Sequence, residues 1–137
     1  MKGFKGFDKN LCCRGFQYEV GKTYEMEEEP IICKRGFHFC DSLSWVDSYY
    51  PLVTKVWNIS PDDGGLIFFN FRYCEVEAVG EIVSDEEGCL ISKRATNKIR
   101  IVRELTIEEV LYSLEPLYVI KFSTEEMLRI RRTFLVK

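Results

Sequence analysis

The sequence predicts an α+β fold: one domain spanning residues 1–137, with a mainly antiparallel sheet, split or mixed, one internal helix and two C-terminal helices. Three observations carry this reading. Apolar and polar residues alternate with a period of two over much of the first 105 residues, the period switches to three and four after Asp41, and two capping boxes follow Leu105. The expected organisation is a strand-rich body over 1–105, holding a helix at 42–50, and a helical extension over 106–137.

Leu11-Cys12-Cys13 precedes the break Arg14-Gly15, after which Phe16, Tyr18 and Val20 alternate with Gln17 and Glu19 as in a half-buried strand. Glu25 to Pro30 reads as an exposed turn. Ile31-Ile32-Cys33 and Phe37-His38-Phe39-Cys40 read as short strands on either side of Lys34-Arg35-Gly36. Asp41 is then the expected N-cap of a helix whose Leu43, Val46 and Tyr50 share one face and which stops at Pro51. The span 54–65 is rich in Asn, Ser, Pro, Asp and Gly and predicts a loop.

From Leu66 the pattern is strand-like again, and Cys74, Val76 and Ala78 alternate with Glu75 and Glu77. In 97–105 Ile99 and Ile101 alternate with Lys98 and Arg100, so antiparallel pairing of the two segments sets glutamates opposite cations. Thr106-x-x-Glu109 opens a helix expected to end before Pro116, and Ser123-x-x-Glu126 opens a second through about Arg132. Leu11, Phe16, Tyr18, Phe37, Phe39, Val46, Val76, Ala78, Ile99 and Ile101 are expected to form one core.

A net charge of −3 disfavours direct nucleic-acid binding, whose affinity comes from many cations releasing counterions. No apolar run reaches the roughly 18 residues of a membrane span, and the N-terminus lacks a signal peptide's apolar stretch, so the expected location is the cytosol of the host cell. The six cysteines are accordingly read as free thiols. A metal site is not expected, because Cys12-Cys13 and Cys33-x6-Cys40 lack the knuckle spacing of zinc ligands and His38 is the sole histidine. Common hydrolase, P-loop, metalloprotease and dinucleotide motifs are absent from the sequence.

The stretch R-G-F-H-F-C-D-S-L-S-W-V-D-S-Y-Y resembles the strand-to-helix segment of the ADP-ribosyltransferase superfamily, and L-C-C-R-G-F resembles that superfamily's first strand. Gly36, Phe39, Asp41 and Tyr49 match the pattern, His38 stands where an aromatic residue is common, and Val46 replaces a serine that binds nicotinamide. The resemblance implies NAD as cofactor, with Arg14, His38 and Tyr49 in its site. It also places the catalytic glutamate near Lys98, a cation unsuited to stabilising an oxocarbenium ion, unless Glu86, Glu87 or Glu104 approaches.

A wider pattern over residues 1 to about 105, running from K-G-F-K-G-F-D-K-N-L-C-C-R-G-F through G-F-H-F-C to K-I-R-I-V-R-E-L, resembles an uncharacterised domain found in phages, prophages and bacteria. It implies a small protein from mobile genetic elements. The leading functional expectation is therefore a non-catalytic module, without cofactor, that binds and modulates a host protein, such as a defence component. The acidic run Glu27, Glu28, Glu29, the loop residue Trp57, and Arg129, Arg131 and Arg132 on the last helix are its candidate contacts, since aromatic and arginine side chains anchor interfaces. The alternative is an NAD-binding or NAD-using relative of the ADP-ribosyltransferases.

Overall fold

Both glycines of the opening K-G-F-K-G-F sit where another element closes on the first strand. In the computed structural model, which describes residues 1–56, 64–84 and 93–135, the chain runs β1 (Lys2–Phe7), β2 (Cys12–Cys13), β3 (Phe16–Gln17), β4 (Thr23–Glu25), β5 (Phe37–Phe39), α1 (Leu43–Tyr49), β6 (Val53–Lys55), β7 (Leu66–Phe68), β8 (Arg72–Ala78), β9 (Ile82–Ser84), β10 (Arg94–Thr96), β11 (Lys98–Glu104), α2 (Ile107–Lys121) and α3 (Thr124–Phe134). A Cβ on Gly3 would stand 2.6 Å from Phe39 Cδ2 and 2.7 Å from Cys40 O, and one on Gly6 would stand 2.5 Å from Tyr50 Cδ2. Only glycine permits these approaches.

The class is α+β, with antiparallel pairing throughout the described strands. One sheet has the order β1-β8-β11-β4 and a second the order β5-β10-β9, while β2-β3 and β6-β7 form two hairpins. The sheets join twice. Phe4 and Cys40 exchange both backbone hydrogen bonds at 2.8 Å, and only Asn97 separates β10 from β11. The expected charge pairing is present: Glu77 lies opposite Arg100, and after a register shift between Ile101 and Arg103 the Arg103 guanidinium meets Glu75 at 3.1 Å.

Among the described residues the core forms as two clusters rather than the single one expected. Strand β8 explains why, because both its faces are covered. Cys74, Val76 and Ala78 join Phe7, Leu11, Tyr18, Phe37, Phe39, Ile99 and Ile101, whereas Tyr73 joins Leu43, Val46, Leu52, Val53 and the apolar faces of α2 and α3. Phe16 is 45% exposed, against expectation, because its strand ends at Gln17 and leaves the ring on the rim of the aromatic cluster formed with Tyr18, Tyr24 and Phe37.

Other elements also differ from the sequence expectation. Residues 31–33 form a turn closed by an isolated Ile31–Arg35 bridge instead of a strand. Thr54 and Lys55 belong to β6, paired with β7, and Trp57 lies outside the described residues. The cap of α1 is Ser42, whose hydroxyl accepts from Trp45 N–H, while Asp41 holds Arg94 through a bidentate pair at 2.7 and 2.8 Å. Helix α2 continues through Pro116 to Lys121. Val110, Leu111, Leu114 and Tyr118 keep helical spacing across the proline, so their burial outweighs the backbone bond it forfeits. Both capping boxes form as read.

Candidate functional site

A cleft of about 310 Å³ opens at the seam between β1, the β2–β3 turn, β5 and the end of α1. Its construction starts with the turn. Cys13 and Phe16 pair across a two-residue loop, and both loop residues take positive φ, 52° at Arg14 and 81° at Gly15, as the tightest hairpin turns require. An arginine held in this conformation is unusual, and it places an exposed guanidinium at the mouth of the cleft with no hydrogen bond or ion pair of its own among the described residues.

Lys5 comes from β1. The strand's period of two puts it on one face with Gly3 and Phe7, and it is 4% exposed. Its ammonium donates to the main-chain oxygen of His38 at 2.5 Å and lies 5.8 and 5.4 Å from the ring centroids of Phe7 and Tyr18. Burial lowers its pKa from the ordinary lysine value, and Arg14 adds to the effect, while Cys13 and Cys40 oppose it. Lys93, the third cation in the wall, stands 5.1 Å above the ring of Tyr49.

The aromatic wall is set by the end of α1. Tyr49 is 44% exposed, whereas Tyr50 packs closely on Gly6, bonds Cys13 Sγ through its hydroxyl at 3.1 Å, and accepts at its main-chain oxygen from Tyr73. Behind this wall, the buried Asp47 accepts from Leu52 N–H at 2.9 Å and from Tyr118 O–H at 2.8 Å, which pins the turn after Pro51 to α2. Burial raises the Asp47 pKa, and those two hydrogen bonds counteract it.

His38 lines the cleft, but its Nε2 accepts from Cys33 N–H at 2.9 Å, so it serves as a latch on the 31–36 turn. Burial, with Lys5, Arg14 and Lys93 nearby, pulls its pKa down to about 4. The Cys40 thiol, also in the wall, is pushed up to about 11 by burial and stays protonated near neutrality. A second cavity of about 450 Å³, walled by Phe16, Tyr18, Tyr24 and Phe37, shares Lys5, Cys13, Arg14 and His38 with the first.

Thus the structure brings Arg14, His38 and Tyr49 to one cleft. It also brings Lys5, Tyr50 and Lys93, which the sequence reading missed. The signal for Lys5 was present in the alternation Gly3, Lys5, Phe7, which turns a cation inward, and that for Tyr50 in its position just before Pro51. Lys98 is not among the cleft's lining residues and faces Glu25 at 3.7 Å. Glu86 and Glu87 lie outside the described residues, and Glu104 is bound to Arg72.

The candidate partner contacts lie elsewhere. Glu27, Glu28 and Glu29 are exposed after β4, and Arg35 Nε donates to the Glu29 main-chain oxygen at 2.7 Å. On α3, Arg131 pairs with Glu115, Arg132 is exposed, and Arg129 packs on Gly64 with its Nη1 buried and without a hydrogen-bond partner among the described residues. Tyr112, Val119 and Ile120 are exposed on α2. Among the described residues no three His, Cys, Asp or Glu side chains gather as metal ligands, and no helix is long and apolar enough to cross a membrane.

No curated protein and no solved structure matches this chain. One family model does match, over residues 1–113, a span that contains every described residue lining the cleft. The family is described as a domain of unknown function, DUF7666, and the chain belongs to it.

Proposed function

We propose that this protein binds a nucleotide of the NAD class in the cleft and holds it without transferring its ADP-ribose. The supporting observation is the cleft's charge: Lys5, Arg14 and Lys93 line it and no carboxylate is among the described residues that line it, in a chain whose net charge is −3. Three cations in a partly desolvated wall favour phosphate oxygens through charge-assisted hydrogen bonds. Tyr49 and Tyr50 supply rings against which a planar base can stack. Transfer would develop positive charge at the ribose anomeric carbon, and a wall of cations disfavours that charge instead of stabilising it.

NAD added to the protein should raise its melting temperature, since ligand at 100 times its Kd contributes about 2.7 kcal/mol. Arg14→Ala should abolish the shift with little effect on the free protein, because Arg14 is exposed and makes no ion pair among the described residues. Free nicotinamide should not accumulate. A melting temperature unmoved by millimolar NAD would overturn the binding reading, and nicotinamide release that Arg14→Ala abolishes would overturn the non-transferring one.

A further inference from the structure

We infer that Lys5 is a carbonyl-capturing amine, and that the cleft takes an aldehyde carrying a phosphate group, which the Lys5 Nζ joins as an imine. This inference is separate from the nucleotide reading and stands on the placement of one side chain. Lys5 lines both cavities. It is 4% exposed, and its ammonium donates to the neutral main-chain oxygen of His38 and also meets the Cys13 thiol. Buried lysines are ordinarily paired with carboxylates, whereas the described residues lining the 310 Å³ cleft include none, and Glu25, which lines the second cavity, pairs with Lys98.

The surroundings suit an amine that works in its neutral form. The rings of Phe7 and Tyr18 flank it, and Arg14 and Lys93 share the cleft wall with it; desolvation and the Arg14 charge disfavour the ammonium, while Cys13 and Cys40 favour it. Burial lowers the Lys5 pKa accordingly, and a lowered pKa leaves a larger neutral fraction at any given pH than on a surface lysine. The same two cations can hold an anionic group on the incoming molecule.

The step balances without oxidant or reductant. After the ammonium gives a proton to solvent, the nitrogen lone pair forms a bond to the aldehyde carbon, and the carbonyl π pair moves to oxygen. The oxygen takes one proton from the nitrogen, and the resulting carbinolamine loses its hydroxyl as water together with the second nitrogen proton, which leaves the C=N bond.

Pyridoxal 5′-phosphate, followed by borohydride to reduce the imine, tests this on the intact chain. The expected result is one stable adduct per chain at limiting reagent, mapped to the peptide that contains Lys5. Phosphate-free pyridoxal should need at least about tenfold more reagent for the same labelling, the effect of one lost charge-assisted contact. Lys5→Arg preserves the charge and the bond to His38 O but cannot form the imine, so it should lose the adduct while retaining a cooperative melt. Should that variant fail to fold, peptide mapping of the wild-type chain decides. Label spread over Lys9, Lys34 and Lys55 with the Lys5 peptide unmodified would overturn the inference, as would equal labelling by pyridoxal and its phosphate. NAD is absent from the assay, so failure of NAD to bind leaves its outcome untouched.

Discussion

A single imidazole shows how the cleft's charge feeds back on stability. His38 has an ordinary pKa of 6.5, lowered to about 4 in the folded chain by burial and by Lys5, Arg14 and Lys93. Between those values the unfolded chain binds the proton and the folded chain refuses it. The His38 contribution to stability is therefore fully present above pH 6.5 and is lost as pH falls towards 4. One full proton would give a slope of about 1.4 kcal/mol per pH unit, and the half-buried ring should show less. Urea midpoints across this window should fall more steeply for the native chain than for His38→Gln, which titrates nowhere in it. Parallel profiles would show that the ring is solvated and the latch to Cys33 N–H is not made. The sequence exposed His38 as a strand residue between two phenylalanines, but its bond to the 31–36 turn depends on Cys33 taking a φ of 65°, which no local pattern announces.

At the level of elements, what was legible depended on how local the signal was. Both capping boxes were readable because donor and acceptor lie three residues apart, and both form. The start of α1 was not, because Asp41 and Ser42 are both competent caps and Arg94, far along the chain, takes the aspartate. Pro116 misled for a similar reason. A proline inside a helix forfeits a backbone bond and crowds the carbonyl four residues earlier, here that of Tyr112, but the packing of α2 on the core lies beyond local reading. The penalty persists even though packing overrides it. Pro116→Ala should stabilise the protein by about 1–2 kcal/mol, the helical gain of up to about 3 kcal/mol less the entropy the proline removes from the unfolded chain. Since Tyr112 and Pro116 are both exposed, the buried side chains need not move and the measurement reads the backbone effect. A lower denaturation midpoint for Pro116→Ala would mean that the proline sets a bend on which the packing depends.

For the whole molecule, the decisive fact is that the family match ends at residue 113, inside α2, while the core does not. Of the fifteen buried residues in the cluster around Val46, seven come from the C-terminal segment: Val110, Leu111, Leu114, Tyr118, Phe122, Met127 and Ile130. The sequence division into a strand-rich body and a helical extension follows the order of elements but says nothing about which of them shares a core. Leu43, Val46, Leu52 and Tyr73 belong to the body and are covered by the extension. Each fully buried aliphatic or aromatic side chain contributes about 1.5–3 kcal/mol, so the five lost by stopping at residue 113 contribute roughly 8–15 kcal/mol, as much as a typical domain's entire stability. The truncation also removes Tyr118, one of two donors to the buried Asp47 carboxylate, which positions the α1 end that carries Tyr49 and Tyr50. A chain of residues 1–113 should therefore lack a cooperative unfolding transition and bind apolar dyes, although it contains every described residue lining the cleft. Chemical-shift dispersion and a sharp melt from residues 1–113 alone would refute this. They would show that the two sheets and α1 close the second cluster without the helices, leaving the extension free to serve a separate purpose.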